Sequence, residues 1–466
     1  MKTTTATIRV DSARRTAALR AWLAASGYDA PGLRTLLGSS STSLVDAVVA
    51  PAARRRLALA DTPSALLARL FLLGDEVSAG DAARRLGPLA DELLALGLVT
   101  ASGATLEPAV RLVPHDHLLI ASDLPGAGGA DHVAAVHRPS ALLAGLTVRR
   151  HVRRALDIGT GNAVQALLVA AHADRVVATD INERALAFAE FNCALNGVEN
   201  VELRHGSLLE PVLGERFGLV VANPPYVISP GLDVVFRDSG MERDAVSEAV
   251  VRGVPDVLEI GGFATLLISW DATHGDLVDR PTSWVQDAAA DTWILHTATQ
   301  DPYDAAARWT SDADDREAAV DRWLAEYHRL GIEWIAYGAI VLRGRADEAT
   351  FVRSTGVPDG IPQAAGVQLE RMFAAPNREL RNEDRLVMAP GAELIGSERP
   401  GPAGWRVAGY ELRLRDGLRF AADLDPDVVA IVRALDGRST LGELGLGVDE
   451  RRLVRRLTEL GFAEVL

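Results

Sequence analysis

Between about Asp131 and Arg345 the chain alternates short apolar runs with stretches of helical periodicity, and this alternation limits the folds open to it more than any other feature. Apolar runs stand at Ala155–Ile158, Val176–Thr179, Val201–Leu203, Leu219–Ala222 and Phe263–Ile268. Helical stretches fall between them at Ala163–Ala171, Glu183–Leu195 and Val246–Leu258. Runs this apolar have no polar face to turn to water, so they belong in a parallel sheet covered by helices on both sides. Two later runs, Trp293–Thr297 and Trp334–Leu342, flank a helix at Arg316–Leu330 and predict an antiparallel pair at one edge. The expected class is α/β, a Rossmann-like domain with a mostly parallel seven-stranded sheet.

At 466 residues the chain is too long for one ordinary domain. Residues 1–125 read as a helical, winged-helix-like domain: Leu66, Leu67, Leu70 and Leu73 recur at helical spacing, helices follow at Asp81–Leu86 and Pro88–Leu96, and a hairpin closes the set. The Gly-rich stretch Leu124–Asp131 marks a boundary, and residues 131–345 form the central domain. Residues 346–466 open on Gly- and Pro-rich sequence, carry strand-like runs at Arg385–Met388 and Tyr410–Leu414, and end in a second winged-helix-like bundle with helices at Asp427–Leu435, Leu441–Leu444 and Arg451–Leu460.

The net charge of −15 argues against a protein that coats nucleic acid, but not against an enzyme with a local basic patch. Lys2 is the sole lysine, so 47 of the 48 basic residues are arginine, and arginine clusters carry little weight in such a composition. The clusters at Arg54–Arg56, Arg149–Arg154 and Arg451–Arg456 read first as solvated faces. One cysteine, Cys193, leaves no disulfide framework and no Cys-rich zinc site, and His115 with His117 is too small a set for a metal, so no metal is expected. No run approaches ~18 apolar residues and the N-terminus has no secretory pattern, so no membrane is expected and the default location is cytoplasmic. Oligomeric state is open.

Three short constellations carry chemistry. Leu156-Asp157-Ile158-Gly159-Thr160-Gly161-Asn162-Ala163 sits where the first strand turns into a helix. Gly159 and Gly161 permit a tight turn and a close backbone approach to a ligand. Asp180, followed by Ile181, ends the second strand about twenty residues later, where a carboxylate accepts hydrogen bonds from both hydroxyls of a ribose. The competing reading makes Asp180 the N-cap of the next helix. After the fourth strand comes Asn223-Pro224-Pro225-Tyr226. Two prolines force a rigid turn and leave carbonyl oxygens to accept. The Asn223 oxygen and the Pro224 carbonyl then receive both hydrogens of a planar –NH2, and Tyr226 stacks on that group. This is catalysis by orientation and electrostatics.

These motifs together resemble the class I methyltransferases that use S-adenosylmethionine (SAM) to methylate amino nitrogens, a group that includes DNA adenine, RNA guanine and protein glutamine enzymes. Asn223–Pro230 ("NPPYVISP") and His137–Leu146 ("HRPSALLAGL") are most similar to the release-factor glutamine methyltransferases of the small-domain methyltransferase family. The likeness spans about Asp131–Ile268. It implies SAM as cofactor, held by Asp157, with its ammonium end, and by Gly159, Thr160, Gly161, Asp180, Ile181, Ser207 and Asn223, and catalysis by Asn223, Pro224, Pro225 and Tyr226. The chain departs from the pattern twice: Ser207 stands where an acidic residue meets the adenine amine, and Ser140 where the glutamine enzymes carry an acid. The expected function is methylation of a planar nitrogen on a macromolecule, first a protein glutamine on a translation protein, with the base amines of RNA or DNA as alternatives. A SAM-binding module that has lost catalysis is a further alternative, and the intact Asn223–Tyr226 counts against it.

Overall fold

The computed structural model describes residues 13–38 and 50–466, apart from 128, 232–234, 239, 274, 312, 314, 347–349, 359, 361–363, 377 and 403. The central sheet contains β1 (Val152–Ile158), β2 (Ala173–Asp180), β3 (Val201–His205), β4 (Phe217–Ala222), β5 (Leu258–Ala272), β6 (Ala290–Gln300), β7 (Trp334–Gly344) and β8 (Val352–Gly356). Its spatial order is β8-β6-β7-β5-β4-β1-β2-β3. β7 runs antiparallel to β5 and β6, and every other pairing is parallel. This is the mostly parallel α/β sheet that was expected, with one strand added. The eighth strand comes from beyond Arg345, where the central domain was expected to end. It also moves the β6–β7 pair off the sheet edge, against expectation. β8 is short and its sequence, Val352-Arg353-Ser354-Thr355-Gly356, is mostly polar, so it shows no strand-length apolar run.

Side chains alternate between the two faces. Ala155, Val176, Ala178, Leu219 and Val221 pack on one side with α1 (Arg138–Leu146), α2 (Val164–Ala170) and the C-terminal region. Leu156, Ile158, Val177, Val220 and Ala222 pack on the other under α4 (Ala245–Val257) and α5 (Asp279–Val285). All six residues of β4 are buried, which is why that strand reads as an unbroken apolar run. α3 (Glu183–Asn196) differs: Ala185, Phe188, Phe191 and Leu195 belong to the core of the N-terminal region.

Toward its end that region holds three helices and a hairpin. Helices Pro63–Phe71, Ala79–Leu86 and Pro88–Ala95 precede a hairpin, Val99–Ser102 with Thr105–Pro108, and Val77–Ser78 adds a third strand. Thr62 and Ser78 cap the first two helices, and Pro63 and Pro88 stand at helix starts, where their missing N–H costs nothing. A second hairpin, Arg111–His115 with Leu118–Ser122, lies against α3.

In the C-terminal region, α8 (Ala365–Ala374) packs on α1. Gly366 is required there, because a Cβ would stand 2.1 Å from the Thr147 carbonyl oxygen. A long hairpin follows, Ala392–Gly401 with Gly404–Leu414; only Tyr410–Leu414, the end of its second strand, was expected. Helices Pro426–Ala434 and Val448–Glu459 close the chain around a sheet of Arg385–Met388, Asp436–Thr440 and Ala463–Val465. Leu441–Leu444, expected as the middle helix, is a turn. Gly442 breaks it and Gly445 stops it, the latter at φ 62°, where an L side chain is strained. Among the described residues no helix is long and apolar enough to cross a membrane.

Candidate active site

The C-terminal ends of β1, β2 and β4 are level: Ile158 pairs with Thr179 on one side and with Ala222 on the other. The glycine loop, Asp180 and Asn223 are therefore delivered to one edge of the sheet. Strand order reverses there between β1 and β4, which is where open α/β sheets hold ligands.

The loop after β1 passes through three left-handed residues, Gly159 (φ 67°), Gly161 (55°) and Ala163 (64°). A Cβ on either glycine would meet nothing within 4 Å, so the space over the loop is open. Ala163 costs about 1–2 kcal/mol in this region as an L residue, and the contacts of Asn162 hold it there. Asn162 Oδ1 accepts from Val164 N (3.0 Å), its Nδ2 donates to Ala134 O (2.8 Å), and its carbonyl accepts from Asn192 Nδ2 (2.9 Å).

Asp157 does not face this space. It is 1% exposed, and its Oδ2 accepts from Thr160 Oγ1 (2.6 Å) and Ala166 N (3.0 Å). Burial pushes its carboxyl up to about 7; those two hydrogen bonds pull against it and the Asp180 charge adds to the rise. The expected contact with an ammonium end is thus replaced by a clasp: Asp157 and Thr160 brace the loop from beneath. Asp180 stands at the rim, half-buried. Its Oδ2 accepts from Gly161 N and its Oδ1 from Asn182 N, both at 2.8 Å. Burial raises its pKa and these backbone bonds oppose the rise. The helix cap that competed for Asp180 is supplied by Asn182, whose Oδ1 accepts from Arg184 N at 3.0 Å. Ile181 is 57% exposed beside it. Gly206 N donates to Asp180 O (3.0 Å), which brings half-buried Ser207 to the same edge.

Asn223, Pro224 and Tyr226 line a cavity of about 700 Å³. Tyr226 N donates to Pro224 O at 2.8 Å, so that carbonyl keeps one lone pair for a substrate and is not wholly free as expected. Ser269 Oγ on β5 donates to Tyr226 O. Tyr226 also bridges to buried Asp238, which Arg237 grips at 2.7 and 2.9 Å. Burial and Tyr337 push the Tyr226 hydroxyl well up while Arg308 opposes, so the side chain stays neutral and is no base.

Sequence reasoning missed the opposite wall. It is built by α6 (Pro302–Trp309) and α7 (Arg316–Leu330), inserted between β6 and β7, which bring Arg308, Trp309, Arg322 and Trp323 to the cavity. Tyr327 Oη donates to Ile228 O (3.1 Å), tying this wall to the segment after the motif. α7 was expected as a helix but not as a wall of the site, and α6, which starts at the Asp301 cap and Pro302, was not expected. His137 and Arg138 complete the rim. His137 caps α1, and Ser140 Oγ lies 2.9 Å from its Nδ1, so Ser140 belongs to the helix cap. Burial lowers the His137 pKa.

A second cavity, of about 710 Å³, lies at the other end of β4 and β5, by Arg216 and Glu259, and holds no candidate residue. The C-terminal arginines pair locally, Arg452 with Asp449 (3.1 Å) and Arg455 with Glu459 (3.4 Å). Among the described residues no cluster of three or more His, Cys, Asp or Glu could hold a metal.

Residues 133–271 match the family model described as methyltransferase small domain, so the resemblance carried by the glycine loop and Asn223–Tyr226 stands. Residues 25–110 match a domain of unknown function. A release factor glutamine methyltransferase from Xylella fastidiosa is 37% identical over 131 residues, 26% of this chain and 48% of that protein. A ribosomal protein uL3 glutamine methyltransferase from the same species is 34% identical over 113 residues, 24% of this chain and 36% of that one. A ribosomal protein L11 methyltransferase from Lactobacillus delbrueckii is 42% identical over 133 residues, 28% and 40% of the two chains. The chain thus spans about half the length of the curated relatives it matches, or less.

Proposed function

We propose that this chain transfers a methyl group from SAM to the side-chain amide nitrogen of a glutamine in a protein, in the cytoplasm. The observation that carries the reading is the placement of Asn223 and the Pro224 carbonyl at the mouth of a cavity, one strand away from an open glycine loop rimmed by Asp180. The residues fit SAM. The open cradle over Gly159 and Gly161 admits the amino-acid portion, the Asp180 carboxylate takes the ribose hydroxyls, and Ile181 offers an apolar surface to the adenine. When bound, SAM would supply an electrophilic methyl on a sulfonium.

The chain's own contribution is orientation. Asn223 Oδ1 and the remaining lone pair of Pro224 O accept the two hydrogens of the acceptor amide. This fixes its plane and directs nitrogen electron density toward the donor loop. Tyr226, neutral and held by Ser269 and Asp238, supports the amide plane. The printed substrates of the similar enzymes, a release factor and a ribosomal protein, support a translation protein as acceptor. The test is tritiated-methyl transfer from SAM into lysate of cells lacking this protein, followed by protease or RNase. Label lost to protease and recovered as methylglutamine is the expected result. Label lost to RNase alone would refute it.

A further inference from the structure

α3 carries Asn192 and Asn196, four residues apart on an otherwise apolar face. Four helical residues rise about 6 Å, and two strand residues span about 6.6–6.8 Å. The two side chains therefore meet alternate residues of the hairpin strand Leu118–Ser122. Asn192 accepts from Ala121 N (2.8 Å) and donates to Ala121 O (2.9 Å). Asn196 accepts from Leu119 N (2.9 Å) and donates to Leu119 O (2.8 Å). Each amide reproduces the donor–acceptor pair of a neighbouring strand, so the helix satisfies an edge of the N-terminal region's hairpin. The two differ in one respect. Asn192 Nδ2 also donates to Asn162 O, the carbonyl between Gly161 and the left-handed Ala163, whereas Asn196 Nδ2 donates to the Asn192 carbonyl of its own helix. Asn192 is fully buried.

We propose that Asn192 is a positioning residue through which the N-terminal region sets the shape of the methyl-donor loop, so that affinity for SAM depends on docking of that region. The proposal rests on the methyl-transfer reading only in taking this loop as the donor site. The same end of the hairpin is fastened a second time. Arg184 grips Asp123 with two bonds of 2.6 Å, and Asp123 Oδ2 accepts from Val133 N at 2.7 Å, one residue before the Ala134 carbonyl that receives Asn162. Movement of the hairpin therefore reaches Asn162 both through Asn192 and through the connector.

Asn196 supplies a matched control: the same chemistry, helix and hairpin, without the bond to the loop. Asn192→Asp and Asn196→Asp are compared in the full chain by calorimetry with S-adenosylhomocysteine and by amide hydrogen exchange. Both retain the acceptor and lose the donors. Asn192→Asp should weaken binding at least tenfold and speed exchange at 161–166. Asn196→Asp should lower the melting temperature but keep affinity within twofold. Equal losses in the two, or unchanged affinity in Asn192→Asp, overturn the proposal. Should Asn192→Asp not fold, Asn192→Ser is read the same way. A wild-type chain that binds no nucleoside would instead sink the methyl-transfer reading.

Discussion

Replacing Asp157 by asparagine tests the clasp beneath the donor loop through its dependence on pH. The carboxyl is 1% exposed and titrates at about 7 in the folded chain, against an ordinary value of 3.8. Between those values the native state holds a proton that the unfolded chain has released, so stability falls as pH rises through this window and levels off above it. The gap corresponds to about 4 kcal/mol in all, of which about 3 kcal/mol falls between pH 5 and pH 8. Asparagine is nearly isosteric: its oxygen accepts from Thr160 Oγ1 and Ala166 N as Oδ2 does, and it has no proton to lose. The assay is urea unfolding of both chains across that range. Asp157→Asn should become progressively more stable relative to wild type as pH rises, reaching an advantage at pH 8. A difference that stays flat from pH 5 to pH 8 would refute the burial argument, because it would mean the carboxylate is solvated when charged.

On the proposed reading Asn223→Ala removes the amide that orients the acceptor and should lower kcat by about 100-fold or more, with little change in SAM affinity or melting temperature; single-turnover kinetics with near-normal rates would contradict the orienting role. Gly161→Ala places a methyl in the open cradle at φ 55°. Strain should cost about 1–2 kcal/mol in unfolding experiments, and calorimetry should show a larger loss in nucleoside binding. Arg308, over the Trp309 ring at 5.5 Å, lies on the far wall. Arg308→Ala should raise the acceptor KM several-fold and spare kcat, and a loss confined to kcat would place this wall in the chemistry instead.

The parts of the site that were legible in the sequence are those encoded locally. A glycine loop, a strand-ending acid and a proline pair each announce their geometry within a few residues, and the βα alternation places all three at one sheet edge. What stayed hidden depends on distant partners. The competing reading of Asp180 as a helix cap is set aside only by Asn182, which fills that role. Asp157 carries no mark of facing inward rather than outward. The wall of α6 and α7 meets Asn223 across some 80 to 100 residues of chain. The asparagine pair on α3 did leave a trace, two amides four residues apart on an apolar face, but their meaning needs the hairpin opposite. Fold errors have the same origin. β8 is a strand because β6 lies beside it, and Leu441–Leu444 is apolar enough for a helix but is broken by Gly442 and stopped by Gly445.

The connection carrying α6 and α7 leaves the sheet at Gln300 and returns at Trp334, and the ladder holds Gln300 directly opposite Ile335. Its two ends are neighbours whatever lies between them, so lengthening or exchanging the excursion adds little closure entropy. Arg308, Trp309, Arg322 and Trp323 of the cavity's far wall thus form a cassette, separate in the chain from Asn223 and from the glycine loop and Asp180. Drift in this cassette could retarget the enzyme without disturbing its donor chemistry. On the proposed reading, grafting it onto a sheet of the same order would carry a preference for partner with it, much as exchanging a jaw leaves the motor of a tool intact.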